Sequence, residues 1–157
     1  MTPPRLRFPP RDLAWAWLAA TALSGAPSTL WALATGGDPG EATWAAGAMW
    51  IPADSSRLAL LASAAVVHGA VSTWWAAVAG LVLPRRNTGL AAVGLSAAIG
   101  MLDLGLIAPR WFPEVAALAF WPQMADHLMW GACLGFTLAW RTRTQHRQDS
   151  PVGRRPG

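Results

Sequence analysis

The chain has no lysine, a single cysteine and few charges of either sign, and each shortage removes a class of protein. Charged residues make up 13% of the 157 positions. Soluble domains carry about 25%, so this composition points to lipid rather than water as the surrounding medium. Cys133 lies inside an apolar run, so no disulfide forms within the chain and no cysteine-based metal site can be built. All twelve basic residues are arginines, and they sit at the ends of apolar runs. A nucleic-acid surface would gather them on one polar face, so nucleic acid is not expected as a partner. There is no G-x-S-x-G, no H-E-x-x-H, no P-loop and no Rossmann fingerprint, and nothing marks one serine as a nucleophile. The reading therefore leans away from an enzyme.

What the chain does have is apolar sequence in long runs. Four of them can cross about 30 Å of hydrocarbon at a rise of about 1.5 Å per residue. They cover residues 13–34, 58–83, 89–108 and 123–140. The second stops at Pro84-Arg85-Arg86, the third at Pro109-Arg110 and the fourth at Arg141. The expected fold class is all-α, a polytopic membrane protein whose four transmembrane helices form two hairpins. The start of the first run has the outline of a signal peptide, with Ser24-Gly25-Ala26 as small residues. Cleavage there would leave Pro27 first, and apolar sequence resumes to Ala34, so an uncleaved first helix is expected.

Charge placement supplies the orientation. The segment 1–12 holds Arg5, Arg7 and Arg11, the second-to-third connection holds Arg85 and Arg86, and the tail 141–157 holds five more arginines. The two remaining connections hold one each, Arg57 and Arg110, beside Asp38, Glu41, Asp54 and Glu114. By the positive-inside rule both termini are cytoplasmic, and the protein belongs in a bacterial inner membrane as a multi-pass chain. The tail 141–157 lacks periodicity and is expected to be disordered, with arginines available to anionic lipid heads.

The tryptophans agree with this layout. Trp15, Trp17 and Trp140 fall at the inner boundary, and Trp31, Trp44, Trp50, Trp111 and Trp121 at the outer one, as aromatic belts do. Trp74, Trp75 and Trp130 lie within spans. In the first outer connection, Asp38-Pro39-Gly40-Glu41 reads as N-cap, first helical position and N3 of a short surface helix over 42–50. In the second, Pro113-Glu114 opens a shorter one over 115–121 before Pro122. Each half is thus span, short outer helix, span, the pattern of a parallel repeat.

Four ionisable residues interrupt the apolar runs: His68, Asp103, Asp126 and His127. A charge at the centre of a span costs roughly 2.5–3.5 kcal/mol on insertion scales, so such residues need a partner, a cavity or a task. Counting along the helices puts Asp103, Asp126 and His127 at one level in the outer leaflet and His68 nearer the midplane. The functional alternative is a proton, cation or small-ligand site. The structural alternative is interhelical hydrogen bonding that locks two hairpins together. His68 and His127 also invite a haem reading, and the four together offer N and O donors for a metal, although no dedicated metal motif is present. No cofactor is expected on balance. His127 shares a helix face with Gly131 and Gly135, a small-xxx-small stripe for close packing. His68, Ser72 and Trp75 form a similar stripe. Pro27, inside Ser24–Thr29, is expected to kink the first span, with the hydroxyls meeting the freed carbonyls.

Together, Ser24–Thr29 with Asp38–Thr43, His68 with Ser72 and Trp75, Leu102-Asp103-Leu104, and Pro122-Gln123 with Asp126, His127 and Gly131 resemble a family of uncharacterised small bacterial integral membrane proteins. The resemblance spans most of the chain. It implies a four-helix membrane fold in which these polar residues form one design, and it implies no chemistry. The function expected is a non-enzymatic accessory or structural subunit of a membrane complex, with the bilayer and other membrane subunits or further copies of the chain as partners. The alternatives are a proton- or cation-coupled transporter or ligand-binding protein, and a haem- or quinone-linked redox subunit.

Overall fold

The computed structural model describes residues 6–149, with side chains to residue 144. Every regular element among them is helical. The first apolar run is two helices, α1 (Pro10–Leu23) and α2 (Ala26–Thr35), rather than one kinked helix. Pro27 has no N–H for the carbonyl of Leu23 and its ring crowds the preceding turn. Gly25, at φ −77° and ψ 0°, takes up the break. α2 ends on Gly36 at φ 77°, a left-handed position that suits glycine, and Gly37 N–H bonds back to the Ala32 carbonyl at 2.8 Å.

Next come α3 (Glu41–Gly47) and α4 (Arg57–Val82). Asp38 is not the N-cap of α3, because Gly40 holds that position. Its carboxylate instead accepts the Gly40 N–H at 2.8 Å and the Trp44 indole N–H at 3.0 Å, a turn two residues long that competes with capping. α4 starts at Ser56, whose hydroxyl accepts the Ala59 N–H, and ends where Leu83 turns extended before Pro84. α3 lies against α4, with the Ser63 hydroxyl donating to the Gly47 carbonyl at 2.8 Å.

α5 (Thr88–Leu102) passes into a π-helical turn over Asp103–Ile107 and then α6 (Ala108–Trp111). The helix therefore runs past Pro109, where the sequence suggested a stop. The π turn carries Ala108 N–H back to the Asp103 carbonyl, so the ladder is already re-registered when Pro109 arrives in the first turn of α6. α7 (Pro113–Ala116) is a single turn. The expected short helix over 115–121 is cut short, because Phe120 and Trp121 already belong to α8 (Phe120–Asp149). Pro122 sits among the first four residues of α8, whose N–H groups have no intrahelical acceptor. α8 also continues through 141–149, where an aperiodic tail was expected. The Arg141 guanidinium bonds the Asp12 carboxylate there, and Thr142 and Thr144 return their hydroxyls to Leu138 and Arg141 carbonyls. Residues 150–157 of that tail lie outside the described residues.

α5 packs along α8, α1 and α2 along α8, and α1 along α4. The small-residue stripe forms a close seam between α5 and α8. A Cβ on Gly131 would stand 2.7 Å from the Ala92 carbonyl oxygen, and one on Gly135 2.9 Å from Gly89 Cα. α4 and α5 are consecutive, yet they make no extended contact with each other. Ala16, Ala20, Ala76, Ala79, Trp130 and Leu134 meet in the core. Outside it the surface is unusually apolar: Leu58 and Trp121 are 77% exposed and Leu90 73%. Two stretches, Arg57–Val82 and Thr88–Trp111, are long and apolar enough to cross a membrane.

Candidate functional site

The break between α1 and α2 leaves carbonyls at one helix end and N–H groups at the next, with Ser24 and Ser28 buried and Gly25 and Ala26 exposed. Two of the four ionisable residues answer them. His68, on α4, places Nε2 3.0 Å from the Thr21 carbonyl oxygen, with Ser24 Oγ 3.3 Å from the same nitrogen. A carbonyl can only accept, so Nε2 carries the proton. Asp126, on α8, accepts the Ser28 N–H through Oδ1 at 2.9 Å. The Ser28 hydroxyl donates to the Gly25 carbonyl at 3.2 Å and closes the gap from within. The imidazole thus stands at the carbonyl end of α1 and the carboxylate at the N–H end of α2, each matching the local helix dipole.

His127 follows Asp126 by one residue, about 100° around the helix, and looks elsewhere. It faces α5 and the π turn. Its Nε2 lies 3.9 Å from Asp103 Oδ2, beyond hydrogen-bond reach, with the two side chains 26% and 24% exposed. The Ser96 hydroxyl donates to the His127 carbonyl, and Gly100 leaves space beside the ring. The four residues are therefore neighbours in two groups, His68 with Asp126 around the break and His127 with Asp103 at the π turn. His68 is close enough to interact electrostatically with both Asp126 and His127. It was the deepest of the four by residue counting, and it joins the others through the broken helix.

Both ends of the α1/α2–α8 seam carry a carboxylate bond, and together they set its register. Asp12 with Arg141 and Ser28 with Asp126 pair the helices antiparallel with nearly constant residue sums. Asp12 is 2% exposed, and sequence reasoning passed over it. The one available signal was a lone acid at the head of an apolar run, directly after Arg5, Arg7 and Arg11. A second acid, Asp38, organises the opposite end. Besides Gly40 and Trp44 it meets Arg57 at 3.2 Å, and the Arg57 guanidinium also lies over the Trp44 ring. The Gly40 N–H first, then the Trp44 indole N–H, hold the Asp38 carboxyl below its ordinary range.

Among the described residues, three buried donors lack a partner: Trp17 Nε1, Thr21 Oγ1 and Trp130 Nε1. No group of three His, Cys, Asp or Glu side chains among them is placed to hold a metal ion. Of the two histidines that invite a haem, His68 has its Nε2 engaged by the Thr21 carbonyl. Two adjoining cavities, about 190 and 260 Å³, lie between the α3 corner and α7 and share Ala45, Ala48, Ala53 and Glu114.

Comparison with known protein families, with curated proteins and with solved structures finds no match to this chain. The family resemblance noted above thus has no match behind it, and function has to be argued from the residues.

Proposed function

We propose that the chain is an integral inner-membrane protein with four spans and both termini in the cytoplasm, acting as a non-enzymatic accessory or structural subunit. The apolar flanks support the membrane reading: Leu58, Trp74 and Leu90 point away from the core on α4 and α5. Exposed apolar side chains of this size on several sides of α4 and α5 suit a lipid surrounding better than water. The arginine distribution supports the orientation. α1 with α2, and α8, count as spans although each is polar at some point. Their polar groups are directed at one another, the arrangement that lets broken helices persist in hydrocarbon.

The observation that carries the structural role is the use of His68 and Asp126. Both serve as caps for an interrupted helix: the Asp126 bond crosses from one hairpin to the other, and the His68 bond joins α4 to α1 within the first. That is assembly chemistry, in which both side chains are spent on backbone groups of the break. The exposed apolar flanks remain free for lipid, further subunits or copies of the same chain.

Two measurements test this. Reporter fusions at Asn87 and at Arg143 should both read cytoplasmic, and a fusion at Asp54 should read external. Native mass measurement from membranes solubilised in mild detergent should show the chain inside a larger assembly of defined composition. A lone monomer under those conditions would defeat the subunit reading while leaving the topology standing.

A further inference from the structure

α4 packs on α1 and α3, α5 packs on α8, and the two make no extended contact with each other. At the end carrying α3 and α7, the smaller cavity is lined by Met49, Ile51 and Pro52 from the connection that leads into α4 and by Trp111, Phe112 and Glu114 from the segment that continues α5. Trp111 follows Asp103 by eight residues and Arg57 precedes His68 by eleven. The polar cluster therefore lies about 12–16 Å beneath the opening on both walls.

The cluster keeps unmet hydrogen-bonding capacity. His68 is exposed although it sits in mid-helix. Asp103 and His127 stay partly accessible and do not close onto each other. Trp130 is only 7% exposed and its indole N–H has no partner. It follows Asp126 by one helical turn and so belongs to the same face. Thr21, whose carbonyl holds His68, has an unpartnered hydroxyl as well. Buried donors in this state are commonly met by water. The mouth is acidic: Glu41 and Glu114 line the adjoining cavities, while the nearby Arg57 is engaged by Asp38 and Trp44.

From this juxtaposition we infer that the cavity between α3 and α7 is the outer entrance of a wet path between α4 and α5, by which hydrated monovalent cations, the hydronium ion included, reach His68, Asp103, Asp126 and His127. Carboxylates at the mouth and floor favour positive charge, and the Thr21 and Trp130 donors bind the oxygen of accompanying water. The inference rests on the proposed orientation and is independent of the subunit role.

Thiol accessibility tests it. In a Cys133→Ser background, Met49→Cys marks the mouth, Asp103→Cys the floor and Leu106→Cys the apolar flank, where Leu106 is 60% exposed. Membrane-impermeant methanethiosulfonates are applied from outside, one cationic and one anionic. Met49→Cys should react with both, Asp103→Cys about tenfold or more faster with the cationic reagent, and Leu106→Cys with neither. An inert Asp103→Cys beside a reactive Met49→Cys overturns the path, and equal rates overturn the cation preference. An inert Met49→Cys defeats the orientation and the outer entrance with it. The unsubstituted protein guards against misfolding of a variant: external water-soluble carbodiimide with ethylenediamine should leave an amide adduct at Asp103, and modification of Glu114 alone overturns the inference.

Discussion

Asp126 caps a helix to which it does not belong: its carboxylate on α8 accepts the Ser28 N–H in the first turn of α2, at 2.9 Å. The donor exists because Pro27 and Gly25 interrupt the first run, so the cap and the break depend on each other. Asp126→Ala leaves that N–H without its acceptor and should destabilise the fold by about 1–3 kcal/mol. Asp126→Asn keeps a carbonyl oxygen in place and should cost less. Reversible unfolding in mixed micelles, followed by tryptophan fluorescence, measures both. Equal losses for the two variants would mean that charge, not the hydrogen bond, is what matters.

The α5–α8 seam makes a contrasting prediction. Gly131→Ala puts a methyl group against the Ala92 carbonyl and Ser96, backbone and a short side chain that cannot swing aside. The helices must part, at about 1–3 kcal/mol. Gly94→Ala, on α5 with nothing within 4 Å of the new Cβ, should be neutral or stabilising by up to about 1 kcal/mol. The same unfolding assay compares the two. A harmless Gly131→Ala would show that the seam is looser than its geometry.

How much of this could be read from the sequence depends on whether a feature is local. The helical character of the apolar runs, the small-residue stripe on α8 and the weakness at Pro27 depend on near neighbours, and all three have a counterpart in the structure, although only two of the four runs are long and apolar enough there to cross a membrane. Partner choice is not local. The spacing of Asp126 and His127 reveals that they point apart, but not that one meets Ser28 and the other approaches Asp103. Asp12 and Arg141 stand 129 positions apart, and only the antiparallel register of α1 and α8 unites them. Proline misled at Pro109 and Pro122, because the π turn and the free first turn of a helix both accommodate a missing N–H. Asp38 was recognised as a capping acid, but the helix it served began two residues later.

The Asp12–Arg141 bond fixes the end of the seam opposite α3. Arg141→Ala withdraws one charged partner from a carboxylate that is 2% exposed, a loss of about 1.5–3 kcal/mol for a charge-assisted hydrogen bond. Arg141→Lys should recover only part of it, since the observed contact is made by Nε, which lysine lacks. Asp12→Asn together with Arg141→Gln should be milder than Arg141→Ala alone, because the two amides can still hydrogen-bond to each other across the seam. Unfolding midpoints of the three variants decide, and a double variant worse than the single would overturn the account.

Asp38 gives the protein a pH signature at the α3 end. Its folded carboxyl is held below the ordinary value of 3.8, chiefly by the Gly40 N–H and next by the Trp44 indole. A depressed carboxyl contributes stability above its unfolded value and loses it as pH falls through the lower, folded one. The α3 corner should therefore hold through mild acid and loosen only below the usual carboxylate range. The Trp44 indole proton reports this directly in nuclear magnetic resonance spectra: it is hydrogen-bonded at neutral pH and should shift upfield as Asp38 takes up a proton. Asp38→Asn should abolish the transition while leaving a weaker indole bond. A shift centred at or above the ordinary value, or one that survives Asp38→Asn, would assign the titration to Glu41 or another acid and remove Asp38 as the organiser of this corner.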